Sequence, residues 1–210
     1  KQFKVCISNR DYIFASFAAS LPGTFYFTLT TIIGQIMTPF GIENSHFIAF
    51  IGTLMNGMGI PGGVLCAIVL IKLGNKNLRI VSLCSITSLL ISFVYYTLAL
   101  RPASEPNIKA ASALVGFFTI PIMICGYELA VKQTRKQGVD EVMSCGIINS
   151  EANLLGGISV LIITYFLNEG VTKAQSIYIM ISLAVVLFIS AVFMLLVRYP
   201  IPKPALIIDI

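Results

Sequence analysis

A chain of 210 residues that is 57% hydrophobic and 11% charged, with a mean hydropathy of +0.90, has too little polar surface for a soluble domain. Its net charge of +5 and pI near 9.0 call for no nucleic-acid partner, since a positive-inside membrane protein carries the same balance. The implied fold class is an all-α integral membrane protein with the lipid bilayer as its solvent.

Residues 1–11 read as a Lys-rich segment on the positive side, running directly into a full-length span with no cleavable signal pattern. The sequence opens at Lys1 without an initiator methionine, and a natural start further upstream is expected. Six spans follow, each with the roughly 20 mainly apolar residues that a membrane helix requires. They are Tyr12–Thr38, His46–Ile71, Leu78–Leu100, Ile108–Val131, Val142–Leu167 and Ala174–Val197. Together they form a six-helix bundle over residues 12–198.

The first span is the most irregular, with Pro22 and Gly23 in its middle and Tyr26, Thr28, Thr30, Thr31 and Gln35 after them. Two readings are open. Either the helix breaks and lines a substrate cavity, as in many transporters, or it kinks and packs against its neighbours. Tyr26 falls about halfway along the span, where a phenol should face protein or water. The second span begins at His46, beside Asn44 and Ser45, and one imidazole without partners makes no metal site. Its Gly59 and Gly63 have a GxxxG spacing that suits close helix packing, while Asn56 has reach into a cavity.

In the fourth span Glu128 stands four residues before Lys132, the favourable order for a helical ion pair. The fifth span carries Asn149, Glu151 and Asn153 well inside the bilayer. An ionised carboxylate there costs several kcal/mol unless paired or hydrated, so Glu151 is read as a coupling or structural acid. Asn149 and Asn153 share a helix face from which Glu151 points away, so its partner is expected on a neighbouring helix. After the sixth span, residues 199–210 form a Pro-rich tail that cannot continue a helix. It is either a linker out of the membrane or a strand that docks on another subunit.

Charge sets the orientation. Lys1, Lys4, Arg10, Lys72, Lys76, Arg79, Lys132, Arg135, Lys136, Arg198 and Lys203 fall on one side, and only Arg101, Lys109 and Lys173 on the other. Both termini are therefore expected on the positive face. The plasma membrane and organellar membranes, the mitochondrial inner membrane among them, both fit this pattern. The five cysteines have no CxxC spacing and read as small buried hydrophobes, with neither disulfide nor metal site. No nucleophile, base and acid stand at catalytic spacing, and no P-loop or dinucleotide fingerprint occurs, so neither an enzyme nor a cofactor is implied.

Six spans with both ends on the positive side and a basic loop between the second and third resemble one half of a major facilitator superfamily transporter. Several segments resemble more narrowly the C-terminal half of the feline leukaemia virus subgroup C receptor family of haem and choline transporters. They are Gly23-Thr24-Phe25-Tyr26, Gly116-Phe117-Phe118, Gly126-Tyr127-Glu128-Leu129-Ala130-Val131, and the run Gly146-Ile147-Ile148-Asn149-Ser150-Glu151-Ala152-Asn153. The last is similar to that family's Gly-Leu-Leu-Asn-Ala-Ser-Ala-Gln.

The resemblance implies alternating-access transport of a small organic solute, choline or another amine, with Tyr26 in an aromatic cage and Asn153 at the place of a cavity glutamine. A ring face attracts a cation by roughly 0.5 to 2 kcal/mol or more when desolvated. The substrate-binding set it points to is Tyr26, Asn153, Gln35 and Asn149, with a small organic cation as ligand and a second six-helix half as partner. Three departures accompany it. Asn153 is a methylene shorter than Gln, Glu151 replaces a small residue, and Ile71 stands where superfamily members often carry an acid that latches the two halves. The alternative is a transport-inactive structural subunit of a larger membrane complex.

Overall fold

The computed structural model describes residues 2–73, 77–135, 137–167 and 171–197. A short helix α1 (Gln2–Ser8) precedes six long ones: α2 (Arg10–Met37), α3 (Ser45–Leu73), α4 (Leu78–Leu100), α5 (Glu105–Arg135), α6 (Glu141–Leu167) and α7 (Lys173–Leu196). All six long helices have the length and composition to cross a membrane, so the chain is a multi-pass membrane protein. No strand occurs among the described residues.

Local chemistry explains the helix ends. The Asn9 side chain accepts from the Asp11 and Tyr12 N–H groups and starts α2, and Asn44 Oδ1 accepts from His46 N–H at 3.0 Å at the start of α3. Thr172 and Gln175 form a reciprocal capping box at α7. Gly41, at φ +85°, closes the 3-10 turn Thr38–Phe40 in the left-handed conformation that glycine adopts without penalty.

Within the N-terminal segment, α1 is a helix docked on the bundle. Cys6 is fully buried beneath it, and burial raises its thiol pKa above the ordinary value. The first long helix continues unbroken through Pro22, which is buried, and Gly23 packs against Ala152 of α6. Here the tight packing of a neighbour outweighs the missing proline hydrogen bond, and the broken-helix reading falls away. The tail 199–210, together with Lys1, Lys76, Lys136 and Arg198, lies outside the described residues.

The helix pairings have an internal symmetry. Helix α2 packs on α6, α7 and α5, while α5 packs on α3, α4 and α2, and α4 meets α7. Exchanging α2, α3 and α4 for α5, α6 and α7 leaves that set of pairs unchanged. The first three long helices and the last three thus pair in matching ways. The most buried of the six are α2 and α5, whose most apolar windows are 61% and 50% buried, against 17% for α6.

Small residues make the crossing of α3 and α5. A methyl group on Gly62 would overlap the Phe117 carbonyl, and one on Gly116 would overlap the Met55 carbonyl. Gly59 and Gly63 both meet Ile120, so the GxxxG pair faces α5. Pro121 has no N–H to offer the Phe117 carbonyl one turn before it, and Gly62 packs against that oxygen. Edge-on packing of Phe25 against Phe93, centroids 4.8 Å apart, joins α2 to α4.

The basic residues gather at one end. Asn9 Nδ2 donates to the Gln133 carbonyl at 3.2 Å, which puts the start of α2 beside the end of α5. Arg79 donates to the Leu195 carbonyl at 3.1 Å, joining the start of α4 to the end of α7. Lys4, Arg10, Arg79, Lys132 and Arg135 therefore share one end of the bundle.

Candidate functional site

At the basic end a cleft of about 940 Å³ opens between α3, α5 and α6. Ala67 and Ile71 line it from α3, Tyr127 and Glu128 from α5, and Glu141 and Cys145 from α6. Asn149 and Asn153 follow Cys145 by one and two turns, on a stripe that drifts slowly round α6. Both asparagines are exposed. On α3, Asn56 lies eleven residues before Ala67, three turns away on the same face. Polar groups thus extend from the cleft along α6, while on α3 Gly63 and Ile60 stand between Ala67 and Asn56 on that face.

Midway along α2, the half-buried Tyr26 hydroxyl donates to Asn56 Oδ1 at 2.9 Å. Asn56 in turn donates to the Gly52 carbonyl at 2.9 Å, which fixes the orientation of its amide. The ring of Tyr26 packs on the core and its polar tip lies at the surface. The two side chains are 30 positions apart in sequence, so only the contact between α2 and α3 pairs them. Asn56 carried a cavity signal in the sequence as the one amide of the second span, but nothing there coupled it to Tyr26.

The remaining candidates are placed separately. Asn153 Nδ2 donates to the Asn149 carbonyl of its own helix at 2.9 Å, leaving its amide oxygen outward. Gln35 is exposed near the far end of α2, more than two turns beyond Tyr26, and takes no part in the Tyr26–Asn56 pair. Glu128 forms the i,i+4 ion pair with Lys132 at 3.1 Å. Ile71 is 81% exposed at the mouth of the cleft and presents no charge there.

Glu151 points elsewhere. Its carboxylate accepts from the buried Ser16 hydroxyl of α2, while Ala152, one residue on, faces Gly23 of α2. The α2–α6 interface carries two further polar links. Tyr12 donates to the Ser144 carbonyl at 2.9 Å, and Thr24 to the Ala152 carbonyl at 3.3 Å. Glu151 is thus one rung of an interhelical ladder and lies off the asparagine stripe.

The cysteines separate into different environments. Cys6, Cys66 and Cys125 are buried, Cys145 is half-buried at the cleft, and Cys84 is exposed on α4, where it lines a groove together with Cys66. Cys84 departs from the expected burial because an apolar thiol on a lipid-facing surface incurs no desolvation cost. All five are free thiols.

No known protein-family profile matches the chain, and a comparison with characterised protein sequences returns no match.

Proposed function

We propose that the chain is one six-helix half of a major facilitator superfamily transporter, resembling the feline leukaemia virus subgroup C receptor family. In this reading it moves a small organic cation, choline or a related amine, by alternating access against a second six-helix half. The observation that carries the proposal is the Tyr26–Asn56 pair, midway along α2, in a bundle with an open cleft at its basic end. An aromatic face held by a hydrogen bond, with no fixed positive charge beside it in the pair, suits a quaternary ammonium group. The matching pairings of α2–α4 and α5–α7 support the same reading, since transporters of this class are built from inverted repeats and bind their solute near the bilayer midplane. Exposed amides on α6 fit a face that a second half would cover.

The test is binding and uptake of radiolabelled choline by the protein reconstituted in liposomes with its second half. Tyr26→Ala is expected to raise the dissociation constant about 2-fold to 30-fold, equivalent to roughly 0.5 to 2 kcal/mol of lost cation–π attraction. Tyr26→Phe keeps the ring and frees Asn56, so it should lose less. Choline binding that is unchanged by Tyr26→Ala removes the residue from the site.

A second reading has its own observation. Ile71 offers the cleft mouth an alkyl group where a latch would need a carboxylate, which favours a structural subunit of a larger membrane complex. Stoichiometric co-purification with a large assembly, together with no uptake, would select it.

A further inference from the structure

Where α3 crosses α5, Cys66 Sγ lies 3.7 Å from Cys125 Sγ. The same thiol is 3.7 Å from the Pro121 carbonyl. Disulfide sulfurs are about 2.05 Å apart, so bonding requires the two to approach by roughly 1.7 Å. The backbones are in close contact on the same crossing, Gly62 against Phe117 and Gly116 against Met55. We propose that Cys66 and Cys125 are an oxidation site that fastens α3 to α5 by a disulfide in the presence of a peroxide.

The surroundings favour this product over a thiolate–metal complex. Both sulfurs are buried inside a membrane-spanning bundle, and no group of three or more His, Cys, Asp or Glu side chains that could complete a metal shell occurs among the described residues. A disulfide is neutral. Access is asymmetric. Cys66 lines a groove of about 300 Å³ between α3, α4 and α5, together with Ser85 and Ser88, whereas Cys125 is fully buried behind it. Hydrogen peroxide, small and uncharged, reaches Cys66 first.

The sulfur of Cys66 attacks one peroxide oxygen and the O–O bond breaks, giving a sulfenic acid and water. Cys125 sulfur then attacks the Cys66 sulfur, the S–O bond breaks and a second water leaves. Two thiols and one peroxide thus become one disulfide and two waters. The bond joins α3 to α5, the most extensively packed pair of helices in the bundle.

The test uses the protein in native membranes or nanodiscs, with Cys6, Cys84 and Cys145 replaced by Ser so that only the pair remains. After peroxide treatment and denaturation, maleimide labelling is expected to lose both thiols. Peptide mass spectrometry should find residues 66 and 125 cross-linked, and dithiothreitol should restore the labelling. Cys125→Ser is expected to leave Cys66 as a sulfenic acid that dimedone traps. Comparing the melting temperature of the oxidised pair with that of its own reduced sample supplies a second readout, expected to rise because the bond constrains the unfolded chain. Two thiols that survive peroxide, or Cys66 carried to a sulfinic acid while Cys125 stays free, would overturn the proposal.

Discussion

A single carboxylate shows how a residue in the bilayer is made tolerable. Glu151 stands in the body of α6, and its cost is offset by a hydrogen bond from Ser16 on α2. Replacing it with Leu leaves the buried Ser16 hydroxyl without that acceptor and is expected to lower stability by about 1 to 3 kcal/mol. Gln keeps a carbonyl acceptor on a side chain of the same length and should lose less. Chemical unfolding in detergent micelles compares the two variants, and equal losses would show that the Ser16 bond contributes nothing. The helical wheel alone directed Glu151 away from the asparagines and toward a neighbouring helix. It named neither the helix nor the serine, since Ser16 lies 135 positions away in sequence. Tyr26 was legible as a midspan phenol for the same reason that Asn56 was not legible as its partner: depth follows from counting residues, and pairing depends on how helices cross.

Between elements, the crossing of α3 and α5 is set by what the chain leaves out. Gly62 and Gly116 lie against opposing carbonyls, so an added methyl group has no space unless the helices separate. Gly62→Ala and Gly116→Ala are each expected to destabilise by about 1 to 3 kcal/mol, the usual cost of overpacking. Gly57→Ala is the internal control. Nothing lies within 4 Å of the added carbon, and alanine in a helix interior is favoured by roughly 0.5 to 1 kcal/mol over glycine. Thermal unfolding of the three variants checks this, and a Gly62→Ala protein as stable as the parent would show that the crossing yields freely. The GxxxG spacing in the second span marks a packing face in the sequence itself. The glycines that sit tightest, 62 and 116, have no shared sequence pattern, because they lie on different helices and are matched only by the crossing. Helix α1 was likewise not foreseen: seven residues give too short a pattern, and docking of Cys6 is what stabilises it.

For the whole molecule, the bias of the basic residues predicts one cytoplasmic or equivalent face. The ties from Asn9 to Gln133 and from Arg79 to Leu195 gather the described cations of that set at one end. Single cysteines placed at Lys72 and Gln137 in a cysteine-free background should therefore react with an impermeant maleimide from the same side as one at Lys4. Cysteines at Lys109 and Lys173 should react from the other. Labelling of the 72 and 137 positions from opposite sides would sink this topology.

The number of spans, their limits to within a few residues, the charge asymmetry and the Glu128–Lys132 pair were determined by the sequence itself. Each depends on residues close together along the chain, through apolar length, charge sign or the 3.6-residue turn. Tertiary structure alone decided that α2 runs unbroken through Pro22, that Tyr26 meets Asn56, that Ser16 holds Glu151 and that two thiols face each other across α3 and α5. Those outcomes depend on crossings between distant helices, where every apolar surface is equally content with lipid and close steric fit makes the choice.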